Sequence, residues 1–399
     1  MERVDVRAAT FLIMSLFCLQ PMVIGSWLAL IPHVKDTIGL SKSELAIALL
    51  GMPSALLVAL QIAGRTVARI GVRRLFLYAF PLQAIASLFP ILAPSQLWLF
   101  FGLAVFGATV AFMEVALNVY AGRMEKSAGR LIMNRCHGFW ALGLMIGSAL
   151  ATGVAPLLMP FGAMLFIATV SALAGLVLAL RLPKFGEIAN GQTPPRRRLS
   201  DLPLALLFIG LFMLTVTLAE GAMADWSAVY LSERMSSGLT EAGIAVTIFS
   251  GFMAVARFSG DFLKLKLGAV ALARGSVSLA IAGLLLLILP LPVDLAYVGF
   301  AFVGLGVASG YPLGVSAVAA LDDAHESANV ALMSTFALTG FLIGPPVIGF
   351  LAEAFSLRVG FAVMIPALLT CLFFASWLRP AEAPGNLARR SSEPLAPVK

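Results

Sequence analysis

Charge is scarce in this chain. Only 12% of its 399 residues are Asp, Glu, Lys or Arg, against about a quarter in an ordinary soluble domain. Cysteine and histidine occur three times each. Cys18, Cys136 and Cys371 are odd in number and widely spaced, so no disulfide framework or zinc pattern can be read from them. His33, His137 and His325 are just as scattered, which leaves no metal cluster and no nucleophile–base constellation for an enzyme. No Walker pattern is present either, so nothing here cradles ATP phosphates. Apolar residues are abundant instead, at 60% of the chain with a mean hydropathy of +0.98. A water-soluble globule of this length cannot carry that surface. The composition excludes a cytosolic enzyme, a nucleic-acid binder and a secreted disulfide scaffold, and it leaves a polytopic membrane protein.

Apolar runs lie near 8–32, 44–64, 75–93, 96–120, 134–157 and 161–181, and again near 204–231, 241–262, 269–291, 294–320, 328–354 and 359–378. Each approaches the ~20 residues that a helix needs to cross the hydrocarbon. The first run is too long for a signal-peptide core and is read as a retained span. Prolines inside the runs, among them Pro21, Pro53, Pro81, Pro312, Pro345, Pro346 and Pro366, predict bends, because a packed bundle can satisfy the freed carbonyls. With the N-terminus inside, Lys35, Lys42, Arg234 and Arg358 are the basic residues outside; 27 basic residues less these four leaves 23 on the inner face. That asymmetry sets the orientation by the positive-inside rule, with both termini cytoplasmic. It also accounts for the net charge of +7 without a nucleic-acid partner.

The longest polar interruption divides the runs six and six. Residues 183–203 hold five prolines or glycines and Arg196–Arg197–Arg198 before Pro203, and they are read as a cytoplasmic linker. The organisation expected is an N-terminal six-helix bundle over 1–182, the linker, a C-terminal bundle over 204–380 and a disordered tail over 381–399. The halves also resemble each other. At an offset of 199, Trp27 meets Trp226 and Gly39 meets Gly238. At 197, Gly71 meets Gly268, Gly107 meets Gly304, Gly143 meets Gly340 and Gly147 meets Gly344. Parallel six-helix repeats are a transporter architecture, with the substrate site where the halves meet.

Two features carry a family resemblance. The loop Gly64–Arg74 reads GRTVARIGVRR, similar to the G-x-x-x-D-R-x-G-R-R signature of the major facilitator superfamily, with Ala68 where an Asp is usual. The stretches EVALN at Glu114–Asn118, HGFWALG at His137–Gly143 and AEGAMADWSAVY at Ala219–Tyr230 resemble the bacterial YbjJ-like and MosC-like branch. The resemblance covers almost the whole chain. It implies an all-α fold of twelve transmembrane helices in two pseudo-symmetric six-helix bundles. It also implies that Arg69, Arg73 and Arg74 latch the halves on the cytoplasmic side. Ala68 removes the usual acidic partner, and Arg257 with Asp261, one helical turn apart, are expected to form the surviving ion pair.

Glu114, Glu220 and Asp225 fall inside apolar runs. A charged side chain at the bilayer centre costs about 2.5–3.5 kcal/mol on insertion scales, so each is expected to face a cavity or to be held protonated. Low-dielectric burial favours the neutral carboxyl, which is the chemistry that proton coupling uses. None of the three, nor His137, is mirrored in the other half: Glu220 faces Pro21, Asp225 faces Ser26, Glu114 faces Tyr311 and His137 faces Ser334. These four are the candidate proton-coupling residues. Asp225 stands about 140° round the helix from Glu220, so the two need not meet. Glu114 and His137 are expected near one another, as a carboxylate–imidazole relay. Gln20, Trp27, Asn118, Trp140, Trp226 and Tyr311 are candidate substrate contacts, since pockets combine aromatic walls with a few polar groups. The outermost tryptophans also suit an interfacial or gating role.

The function expected is secondary transport of a small polar solute (a sugar, polyol or amino-polyol) by alternating access, with protons as coupling ion. The chain is placed as a monomer in the bacterial inner membrane, without cofactor or metal. The readings that compete are a proton-driven exporter of amphipathic drugs or metabolites and a non-transporting sensor of the same fold.

Overall fold

The computed structural model describes residues 6–128, 132–183, 203–235, 239–321 and 326–379. Arg196–Arg198, His325, most of the expected linker and the tail lie outside them. Among the described residues the structure is helical, and eleven helices are long and apolar enough to cross a membrane. One of them, Met133–Arg181, contains a kink at Met159 (φ 62, ψ 159) between Pro156 and Pro160. The ring of Pro160 disfavours helical backbone at the residue before it. Met159 is also largely exposed, as expected of a loop tip. This helix is therefore two spans end to end, and the total is twelve.

Proline also sets the remaining breaks. A proline has no N–H for the carbonyl four residues back. The second span changes helix at Leu49, four before Pro53, and the third at Ala86, four before Pro90. The twelfth changes at Ala362, four before Pro366, and the tenth at Val307, beside the carbonyl that Pro312 frees. Pro21, Pro81, Pro345 and Pro346 sit inside uninterrupted helices. The second span opens on a capping box. The Ser41 hydroxyl accepts from the Glu44 N–H at 3.2 Å, and the Ser41 N–H donates to Glu44 Oε2 at 2.9 Å, so two orphan helix-end donors are satisfied.

The repeat is visible in the packing. A methyl group at Gly143 would stand 2.0 Å from the Cys18 carbonyl oxygen, and one at Gly340 would stand 2.3 Å from that of Leu214. Only glycine allows such backbone approach. In both halves it seats the fifth helix on the first. Gly71 and Gly268 adopt left-handed backbone, φ 81 and φ 78, at equivalent interhelix turns. The mirrored glycines are thus structural.

The halves meet along two seams. The fifth span (residues 133–158) runs beside the eighth (Leu239–Leu267). Thr152 closes on Gly243, the Ser148 and Thr247 hydroxyls lie 2.9 Å apart, Met145 covers Gly251, and the Phe258 ring covers Gly138. At the end of this seam near Met133 and Leu267, the Asn134 amide donates to Asp261 Oδ1. The second and eleventh spans (Lys42–Ile70 and Glu326–Ala354) meet chiefly through 42–49. There Ala46 packs on Gly349, the Lys42 N–H donates to Glu353 Oε2 at 2.8 Å, and Lys42 Nζ pairs with Glu233 at 3.2 Å. These contacts close the bundle at this end.

Candidate functional site

The fourth span, Gln96–Ala128, carries Glu114 and Asn118 one turn apart. The Asn118 amide donates to the Glu114 carbonyl at 2.9 Å and reaches Glu114 Oε2 at 3.4 Å. From the fifth span, Trp140 Nε1 donates to Glu114 Oε1 at 2.7 Å. The carboxylate is therefore held by neutral donors, and its second oxygen is only loosely engaged. Glu114, Asn118 and Trp140 are all partly exposed.

The other half contributes an ion pair. Glu220, on the seventh span Leu204–Met235, accepts from Arg257 Nη2 on the eighth span at 3.0 Å. The two side chains are only 8% and 9% exposed. The same guanidinium crosses the seam. Its Cζ lies 5.7 Å from the Trp140 ring centroid, within cation–π range, and its Nη1 donates to the His137 carbonyl at 3.4 Å. Its buried Nε has no partner among the described residues. Trp140 thus joins the halves, holding Glu114 by its N–H and Arg257 by its face. The chain Asn118–Glu114–Trp140–Arg257–Glu220 draws on four helices and both bundles. It contains two carboxylates and one cation, so full ionisation leaves a net negative charge in a low-dielectric site.

This geometry corrects several expectations. Arg257 does not pair with Asp261. Glu220 captures it from the neighbouring helix, and Asp261 takes Asn134 across the seam. The His137 ring packs edge-on against Phe17, with centroids 5.7 Å apart, while Glu114 bonds Trp140, so no carboxylate–imidazole relay forms. Their repeat mates do meet: the Tyr311 and Ser334 hydroxyls are 3.3 Å apart. Trp226 is fully buried, and its Nε1 donates to the Pro345 carbonyl at 3.0 Å. Trp27 is buried as well. Neither indole offers a face to a solute here; both pack near the sealed end. Arg73 donates to the Leu180 carbonyl within its own half, and Arg69 and Arg74 are exposed. Neither of these two makes an ion pair among the described residues.

Two candidates stand apart. Asp225 is half-buried and has no hydrogen bond or ion pair among the described residues. Gln20 is fully buried in the first span, and neither of its amide atoms has a partner there. An unpaired buried amide costs about 1–3 kcal/mol, which marks Gln20 as a group held ready for a ligand or for another conformer. Among the described residues no group of three or more His, Cys, Asp or Glu could hold a metal ion.

Comparison with known proteins agrees with this architecture. The model of the Major Facilitator Superfamily matches residues 11–330 and 276–398. An MFS-type transporter of Yersinia pestis is 29% identical over 360 residues, covering 89% of this chain and 91% of the relative. Membrane protein MosC of Rhizobium meliloti is 28% identical over 365 residues, covering 89% of this chain and 87% of the relative. Among solved structures, the nucleoside transporter NupG superposes with a TM-score of 0.70 at 14% identity, covering 93% of this chain and 98% of that one. At that identity the likeness speaks for the fold.

Proposed function

The chain belongs to the Major Facilitator Superfamily, in the MosC-like branch, and on that premise we propose that it moves a small polar solute, of sugar, polyol or amino-polyol type, by proton-coupled alternating access. One observation carries the reading, namely the polar chain from Glu114 through Trp140 and Arg257 to Glu220. It places two carboxylates and one shared cation where the bundles meet, which is where a carrier of this architecture binds its solute. Protonating Glu220 would release Arg257 to Trp140 and Glu114, so proton occupancy and the contact between the halves are linked. Glu114 and Asn118 offer hydrogen-bond acceptors and donors to hydroxyl or amino groups, beside the indole of Trp140. The seal at Lys42, Ala46, Gly349 and Glu353 supports a conformer closed on that side, and the excess of basic residues on the opposite face supports cytoplasmic termini in a bacterial inner membrane.

The test is a thermal-shift screen of the purified protein with sugars, polyols, amino-inositols, amino acids and cationic drugs, each at pH 5.5 and 7.5. Binding to the folded state raises the melting temperature by linkage. A polar-solute shift that depends on pH and disappears in Glu220→Gln supports the reading. Shifts confined to amphipathic cations replace it with an exporter.

A further inference from the structure

Outside the central site, a lateral groove of about 600 Å³ opens on the bundle surface, lined by Phe11, Ser15 and Cys18 of the first span, Phe139 of the fifth, and Ala174 and Val177 of the sixth, among others. Its lining is almost wholly apolar. Its rim at the inner end is not. Arg7 stands one turn before Phe11, Arg135 one turn before Phe139 and Arg181 one turn after Val177. Residues four apart share a helix face, so each of the three helices that wall the groove carries one arginine above it. All three arginines are exposed. From Arg7 to Leu19, at the far end of the lining, the first span rises about 18 Å at 1.5 Å per residue.

We propose that this groove binds one anionic phospholipid of the cytoplasmic leaflet, with an acyl chain along the apolar walls and the phosphodiester under Arg7, Arg135 and Arg181. The charge pattern favours this occupant. An apolar trough explains a hydrocarbon chain, and three guanidinium groups at one end explain an anionic headgroup, since arginine binds phosphate through paired N–H donors. A zwitterionic lipid brings no net negative charge to Arg135 and Arg181. The site does not depend on the transported solute. It reaches the seam through Phe139, whose ring meets Phe258 of the other half edge-on at 5.3 Å.

The experiment is native mass spectrometry of the full chain, delipidated in detergent and titrated with palmitoyl-oleoyl phosphatidylglycerol or the matching phosphatidylcholine. The wild type is expected to retain one phosphatidylglycerol and to prefer it over phosphatidylcholine. Removing the arginines (Arg7→Ala, Arg135→Ala, Arg181→Ala) should lower the affinity about five-fold for each, from the contribution of a basic residue near an anionic lipid surface. Ala174→Trp keeps the arginines and fills the groove, and should abolish retention; Ser15→Phe does the same from the opposite wall if the first variant fails to fold. Equal retention of both lipids by the wild type, or undiminished phosphatidylglycerol on a folded groove-filled variant, overturns the proposal. A dimer that Ala174→Trp dissociates overturns it in favour of a second copy of this chain.

Discussion

Breaking the Arg257–Glu220 pair from either side should cost far more than deleting it whole. Each side chain is more than nine-tenths buried, and they meet at 3.0 Å. Removing one partner leaves an uncompensated charge in low dielectric, which costs about 3–5 kcal/mol. For Glu220→Leu the lower end applies, because the guanidinium keeps the Trp140 face and the His137 carbonyl. Arg257→Met strands Glu220 and also loses the cation–π contact, worth about 0.5–2 kcal/mol, so it should be the worse single variant. The double variant Glu220→Leu with Arg257→Met removes both charges and fills the space with carbon. Replacements of that kind are neutral or stabilising by about 1–4 kcal/mol. The double-mutant cycle should therefore show a favourable coupling of about 6 kcal/mol or more, measured by reversible unfolding in mixed micelles. Transport should be lost in all three variants, so the double variant would be stable and inactive. Single variants within about 0.5 kcal/mol of wild type, the range of ordinary surface changes, would show a solvated pair and refute the reasoning.

Three further outcomes are expected. Trp140→Phe keeps a ring for Arg257 and removes the N–H from Glu114, a hydrogen bond to a charged group worth about 1.5–3 kcal/mol; solute uptake should fall while Trp140→Ala, which loses both contacts, is worse in uptake and in melting temperature. Gly143→Ala and Gly340→Ala should destabilise alike, by about 1–3 kcal/mol each from overpacking against a carbonyl, and unequal melts would break the symmetry of the two seats. Lys42→Ala removes a partly exposed pair, worth about 0.2–1 kcal/mol, and should raise the labelling rate from outside of Ser227→Cys, placed in a background lacking the three native cysteines, by up to about five-fold; an unchanged rate would mean that Lys42 does not help to hold the seal.

Much of the architecture is legible in the sequence because its causes are local or periodic. Span lengths follow from hydrocarbon thickness. The breaks near Leu49, Ala86, Val307 and Ala362 each trace to a proline four or five residues on. The paired glycines report the repeat because close backbone approach admits no other residue. The site is less legible. Glu220 and Arg257 are 37 positions apart and Glu114 and Trp140 are 26 apart, separations that no helical period encodes. Asp261 looks like the partner of Arg257 because a one-turn spacing is the only pairing a single helix can display. One signal does point the other way. Arg257 is the lone basic residue of its apolar run, and an intramembrane arginine needs a buried acid, of which Glu220 is one. Trp27 and Trp226 show the converse limit, since an aromatic stripe reads the same whether it lines a cavity or closes one.

The central claim is that Glu114 and Glu220 couple proton movement to solute movement through the shared Arg257. Solid-supported-membrane electrophysiology on reconstituted protein tests it most directly, with concentration jumps of sugars, polyols and amino-inositols at fixed pH. The account predicts a transient inward positive charge displacement for a polar solute in the wild type, lost in Glu114→Gln and in Glu220→Gln. Currents of wild-type size in both variants would contradict it.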